Sequence, residues 1–224
     1  MSVYMTEEEQ LESFKKWWRN NGTIVTVILS VLLFCVAGYR YMSWHQEKIV
    51  QESSVIYENM MIAFSNQNNK EVRAFANKLI KDYGNQVYAD VAHMTLAKLY
   101  VSKQKLNEAK QELSFVSKNS KMTALRQIAK IRIARLLAAQ KSYDSALDEL
   151  ATVEDKTYLP VVNELKGDIY GATGKYDEAF NFYRLAIDEI KTNGMGNLFL
   201  EMKKNELATQ SQSMNAEKIK TQPV

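Results

Sequence analysis

Leu96-Ala97-Lys98-Leu99-Tyr100, followed by Leu106-Asn107-Glu108-Ala109, Leu113 and Val116, returns as Ile133-Ala134-Arg135-Leu136-Leu137 with Tyr143-Asp144-Ser145-Ala146, Leu150 and Val153. A third copy, Lys166-Gly167-Asp168-Ile169-Tyr170 with Tyr176-Asp177-Glu178-Ala179, Tyr183 and Ala186, keeps the same internal offsets. The small residues Ala97, Ala134 and Gly167 recur 37 and 33 residues apart, a period that belongs to helix–turn–helix solenoids. Each unit reads as two antiparallel helices. Ala97, Ala134 and Gly167 let the second helix approach, Ala109, Ala146 and Ala179 do the same from the other side, and larger apolar residues fill the space between.

Gln104-Lys105-Leu106-Asn107, Lys141-Ser142-Tyr143-Asp144 and Gly174-Lys175-Tyr176-Asp177 fall at equivalent turns, with Asn or Asp placed to cap the following helix. The longer first interval fits the polar loop Ser117–Lys121. This pattern resembles the tetratricopeptide repeat in its small, aromatic and Ala positions, and departs from it at Lys166, where Leu is usual. Ahead of the three copies, Ile49 to Asn66 and Glu71 to Tyr83 read as a degenerate fourth helix pair. Asn197 to Thr209 reads as a capping helix, and Ser211 to Val224 as a polar, disordered tail. The expected fold class is all-α: a right-handed solenoid of about four helix pairs plus a C-terminal capping helix. Composition agrees, since 2 Pro and 8 Gly in 224 residues leave few helix breakers.

From Asn20 to Tyr39 there is no charge, with Arg19 and Arg40 on either side. Twenty residues at about 1.5 Å each match a hydrocarbon core of roughly 30 Å, and Trp17, Trp18, Tyr39, Tyr41 and Trp44 supply interfacial aromatics. The run is too long for a signal-peptide core and ends in Tyr39-Arg40-Tyr41 rather than a small-residue cleavage site. Phe34 stands before Cys35 where lipoprotein processing needs a small residue. An uncleaved anchor is expected. Lys15, Lys16 and Arg19 precede it against Arg40 and Lys48 after it, which places the N-terminus in the cytoplasm by the positive-inside rule. Leu11, Phe14 and Trp18 form one face of a short amphipathic tail helix, which Asn20-Asn21-Gly22 is expected to break from the anchor. The expected divisions are a tail over 1–19, a membrane helix over 20–41, a repeat domain over 42–209 and a disordered tail over 210–224.

The formal charge of +3 comes from interspersed Lys, Arg, Asp and Glu, which is no nucleic-acid signature. Cys35, the sole cysteine, lies in the apolar run, and His93 is the one histidine beyond His45 at the membrane edge. No metal or thiol-nucleophile constellation assembles from these. Gly171-Ala172-Thr173-Gly174-Lys175 has two residues between its glycines rather than the four of a phosphate loop, and Tyr176 in place of Ser or Thr. Gly194-Met195-Gly196 is followed by Phe199 where a dinucleotide loop needs a third glycine, and reads as the break before the capping helix. Adjacent Asp148 and Glu149 diverge on a helix. No enzyme and no cofactor are expected.

Binding remains. Carrying the groove positions of the tetratricopeptide repeat onto this chain puts Met94, Lys98 and Val101, then Ile131, Arg135 and Ala138, then Glu164 and Asp168, along a concave surface suited to an extended polypeptide.

The whole chain also resembles the ancillary SecYEG translocon subunit family, the YfgM-like proteins. The resemblance rests on the acidic tail leading to Trp17-Trp18-x-x-Asn21-Gly22, Gly38-Tyr39-Arg40-Tyr41 with His45-Gln46, Tyr83-Gly84 and Tyr88-Ala89, and Leu198 to Leu207 with Glu201-Met202 and Asn205. It implies a single-pass protein of the bacterial inner membrane with a periplasmic repeat domain. It also implies association with SecYEG and the periplasmic chaperone PpiD, and assistance to secretory polypeptides as they emerge. A membrane-anchored scaffold for cell-wall or outer-membrane assembly proteins is the alternative.

Overall fold

The computed structural model describes residues 7–191 and 198–207, which carry helices and no strand. The expected tail over 210–224 and the break at Gly194-Met195-Gly196 lie outside the described residues. The chain divides into two units at Ser54/Val55.

In the first unit a single helix, α1 (Glu7–Ser65), begins in the tail and runs through the apolar segment. The expected break at Asn20-Asn21-Gly22 does not occur. Asn21 Nδ2 donates to the Trp17 carbonyl one turn back at 3.2 Å, and a Cβ on Gly22 would lie 3.2 Å from Trp18 Nε1. The glycine thus seats the indole against the helix, and its propensity penalty of about 1 kcal/mol relative to Ala is too small to end a helix continuous on both sides. Phe14 stacks with Trp17 and Trp18 at 6.3 and 6.1 Å between ring centroids. Ile24, Val27, Ile28, Leu29, Val31, Leu32, Leu33, Phe34 and Val36 are all more than half exposed. This is the one helix of the described residues long and apolar enough to cross a membrane. A buried core helix would have covered those side chains; this one leaves them uncovered.

The second unit opens with the last turns of α1 and continues through α2 (Asn69–Asp82), α3 (Val87–Ser102), α4 (Leu106–Asn119), α5 (Thr123–Ala139) and α6 (Tyr143–Ala151). A 3₁₀ turn at Lys156–Tyr158 leads to α7 (Leu159–Ala172), α8 (Tyr176–Lys191) and a helix over residues 198–207. From α2 to α8 each α-helix packs on the next, so contacts are local and each pair buries its apolar face against its neighbours. Pro160 stands in the first turn of α7, where its missing N–H leaves no helical bond unmade.

One backbone device closes all four pairs. Gln67, Gln104, Lys141 and Gly174 take φ of 56, 59, 59 and 76°. At each, the next residue's N–H reaches five residues back: Asn68 to Ala63, Lys105 to Tyr100, Ser142 to Leu137 and Lys175 to Tyr170, all at 2.9 Å. The left-handed residue itself donates three back, to Phe64, Val101, Ala138 and Gly171. This is the Schellman termination, and it explains a departure from expectation. Lys105 and Ser142 occupy the N-cap positions of α4 and α6 without a side-chain cap bond. Asn107 and Asp144 therefore stand already inside the first turn, where Asp144 meets the helix dipole. The first pair is the exception, since Asn68 Oδ1 accepts the Glu71 N–H at 3.4 Å.

Three of the four left-handed positions are not glycine. Because a side chain there costs roughly 1–2 kcal/mol, Gln104→Gly and Lys141→Gly should each raise stability by about 0.5–1 kcal/mol and Gly174→Ala should lower it by a similar amount. Chemical denaturation with unchanged m-value is the check.

The shared register also explains the degenerate pair. Met60 stands where Ala97, Ala134 and Gly167 stand, and Ala76 where Leu113, Leu150 and Tyr183 stand; Met60 and Ala76 are both fully buried in one cluster. Large and small residues have changed sides, conserving volume. The third pair is the opposite extreme, with no Cβ at Gly167 and the Tyr183 ring in the space: an added Cβ would lie 2.6 Å from Tyr183 Cδ1 and Cε1.

Candidate functional site

The anticipated groove separates into two parts. On α3, Met94, Lys98 and Val101 are spaced to share one helix face, and the structure brings them to a cleft of ≈ 310 Å³ together with Ala97, Leu113, Arg132, Arg135 and Leu136. Met94 is buried and forms floor, whereas Lys98, Arg132 and Arg135 are exposed and form rim. Lys98 Nζ also sits 4.9 Å from the centre of the Phe64 ring, near enough for a cation–π attraction. Desolvation, and then the charge of Arg135, hold the Arg132 guanidinium below its ordinary value. Ile131 is buried in the central core and Ala138 is half-buried against it, so these two sit behind the surface.

Glu164 and Asp168 form the second part. Lys203, on the helix over residues 198–207, reaches Glu164 Oε1 at 3.0 Å and Asp168 Oδ1 at 2.7 Å. The Tyr183 hydroxyl donates to the same Asp168 oxygen at 2.7 Å. Leu200 and Leu207 are buried with Ala179, Tyr183, Ala186 and Ile187, so the terminal helix is both packed and pinned. Burial opposes the Lys203 charge, but the bonds to Asp168 and Glu164 outweigh it and hold the ammonium above its ordinary value. Burial, and then the Asp168 bond, push the Tyr183 phenol up.

Both shifts act in one direction. A lysine or tyrosine whose folded pKa is raised adds stability that is complete below its unfolded pKa and is lost as pH rises toward the folded value. The terminal helix should therefore hold unchanged from neutral pH to about pH 10 and loosen above it. In the Lys203→Met, Tyr183→Phe double variant that alkaline loss should flatten, read from melting temperature against pH.

The positions that the repeat pattern missed are Arg132 and Lys203. Arg132 lies one residue from Ile131, the position carried over from the repeat, and the turn of α5 puts this neighbour at the rim. Lys203 belongs to the terminal helix, outside the period. Its contacts with Glu164 and Asp168 span 39 and 35 residues, and nothing local signals them. Elsewhere, helix pairs are joined by polar bonds. His93 Nδ1 meets Glu112 Oε2 at 2.6 Å, and Asn163 Nδ2 donates to Glu189 Oε2 at 3.1 Å. No group of three or more His, Cys, Asp or Glu side chains among the described residues is placed to hold a metal.

The cleft between α3 and α5, with its apolar floor and charged rim, is an arrangement that can bind. The family described as "Tetratricopeptide repeat-like domain" matches residues 15–209. The ancillary SecYEG translocon subunit of Neisseria gonorrhoeae is 27% identical over 208 residues, covering 92% of this chain and 100% of its own length. The protein of the same name in Escherichia coli is 25% identical, covering 93% and 100%, and that of Haemophilus influenzae 24%, covering 83% and 91%. The crystal structure of MamA protein aligns with a TM-score of 0.49 at 14% identity, over 77% of this chain and 96% of that one. With a four-fold helical register and a family match over most of its length, the chain belongs to the tetratricopeptide repeat-like domain family.

Proposed function

We propose that this protein is a non-enzymatic ancillary subunit of the SecYEG translocon, held in the bacterial inner membrane by α1. On this reading residues 1–19 are a cytoplasmic tail, 20–41 span the membrane and 42–209 form a periplasmic domain that meets PpiD and emerging secretory polypeptides. The observation that carries the reading is end-to-end correspondence with relatives of that name, apolar helix and repeats together, at 100% of two relatives' lengths. Two features support it: an apolar run in α1 most of whose large side chains are more than half exposed, and a cleft with an apolar floor and charged rim. The proposed orientation is supported by Lys15, Lys16 and Arg19 before the span against Arg40 and Lys48 after it. The anticipated surface is used through Lys98, Val101 and Arg135 above Met94, with Ile131 and Ala138 supporting it and Glu164 and Asp168 engaged by Lys203.

Photoreactive residues at Val101 and Arg135, in cells secreting a stalled periplasmic protein, should give adducts with the emerging chain and with PpiD. A control at Lys118, outside the cleft, should give none. Adducts with a single folded cell-wall or outer-membrane assembly protein instead would replace the translocon reading by that of a scaffold.

A further inference from the structure

A groove with both signs of charge would accept many segments. Here the acids Glu164 and Asp168 are both within 3.0 Å of Lys203 in the chain's own terminal helix. The open cleft keeps Lys98, Arg132 and Arg135, and no carboxylate of the described residues lines it. None of the three cations is ion-paired within the described residues, and Arg132 and Arg135 lie on consecutive turns of α5 across the cleft from Lys98 on α3. Between them the floor is apolar and includes Met94, whose flexible thioether adapts to differently shaped side chains. A neutral apolar segment would leave Arg132 and Arg135 without a counter-charge, and a basic one would add to their repulsion.

We propose that the open cleft between α3 and α5 selects polypeptide segments in which acidic and apolar residues are interspersed: carboxylates on Lys98, Arg132 and Arg135, an apolar side chain on Met94 and Leu136. This deepens the reading above and rests on it in taking polypeptide to be what enters the cleft. The terminal helix contributes to selectivity by occupying the acidic positions, so that the surface left open has one sign. Basic segments are repelled by the same charges that attract acidic ones, and neutral segments gain neither effect.

The test uses the full chain in detergent and fluorescein-labelled twelve-residue peptides of repeated Leu-Glu-Ser, Leu-Gln-Ser or Leu-Lys-Ser, followed by anisotropy. With up to about 1 kcal/mol from each exposed pair, the Glu peptide should bind about tenfold tighter than the Gln peptide. The Lys peptide should bind weakest, and the Glu preference should shrink as salt is raised. Arg132→Glu with Arg135→Glu, both at exposed positions, should reverse the order, and an unchanged melting curve would show the variant folded. Equal binding of the three peptides would overturn the inference and leave the polypeptide reading intact. Binding of none would sink both. Displacement of the Glu peptide by inorganic phosphate at comparable concentration would reassign the cleft to a phosphate-bearing ligand. Should the double variant not fold, the salt series and the Gln peptide on the wild-type chain decide alone.

Discussion

Replacing Gly167 by alanine is expected to destabilise the repeat unit by about 2–3 kcal/mol, the upper part of the range for overpacking, and to lower its melting temperature by roughly 4–12 °C. The reason is local. The added Cβ would stand 2.6 Å from two carbons of the Tyr183 ring, and Tyr183 is 5% exposed with its hydroxyl held by Asp168, so the ring has nowhere to move. The same substitution is already present in two other pairs as Ala97 and Ala134, each matched by a leucine where the third pair has Tyr183. The double variant Gly167→Ala, Tyr183→Leu should therefore recover part of the loss. Recovery stays incomplete because the hydroxyl bond to Asp168 goes, worth about 1 kcal/mol, although Lys203 still covers that carboxylate. Thermal unfolding of wild type, both single variants and the double variant closes the cycle. A Gly167→Ala protein as stable as wild type would mean that the helices of the third pair do not approach as described.

A second large effect is expected in the membrane segment. Leu29→Arg with Leu33→Arg puts two charges one turn apart at the middle of the apolar run, where each costs about 2.5–3.5 kcal/mol to insert. Both leucines are more than half exposed and contribute nothing to a protein core, so the repeat unit should keep its melting temperature while the chain leaves the carbonate-resistant membrane fraction. Leu29→Ala with Leu33→Ala should stay in it. If the double arginine variant remains carbonate-resistant, the anchor lies elsewhere.

How much of this could be read from residues alone depends on whether the determining interaction is periodic. Ala97, Ala134 and Gly167 with Ala109, Ala146 and Ala179 announce the helix pairs because close approach demands small side chains at fixed offsets, and the structure returns all six as buried. Reading the first pair from composition is harder. Its Met60 and Ala76 exchange the large and small roles, and the register becomes plain only from the left-handed Gln67 beside Gln104, Lys141 and Gly174. Asn20-Asn21-Gly22 misleads for a different reason. Local propensity favours a break, but Trp18 packed over Gly22 and the Asn21 side chain turned back to Trp17 keep the helix intact. At the groove, Met94, Lys98, Val101 and Arg135 were legible from the repeat and do line one cleft. The engagement of Glu164 and Asp168 by Lys203 was not, since it joins charged residues distant in sequence through a helix outside the repeat.

On the proposed function, an anchored repeat domain serves the translocon rather than acting alone. This is tested most directly by purifying the tagged full chain from its native membranes in mild detergent and identifying what comes with it. SecY, SecE and SecG should appear in constant proportion to the chain across preparations, and should be lost when α1 is exchanged for an unrelated membrane helix together with the repeat unit's surface charges Lys98, Arg132 and Arg135. Recovery of the intact, folded chain reproducibly without SecYEG would contradict it.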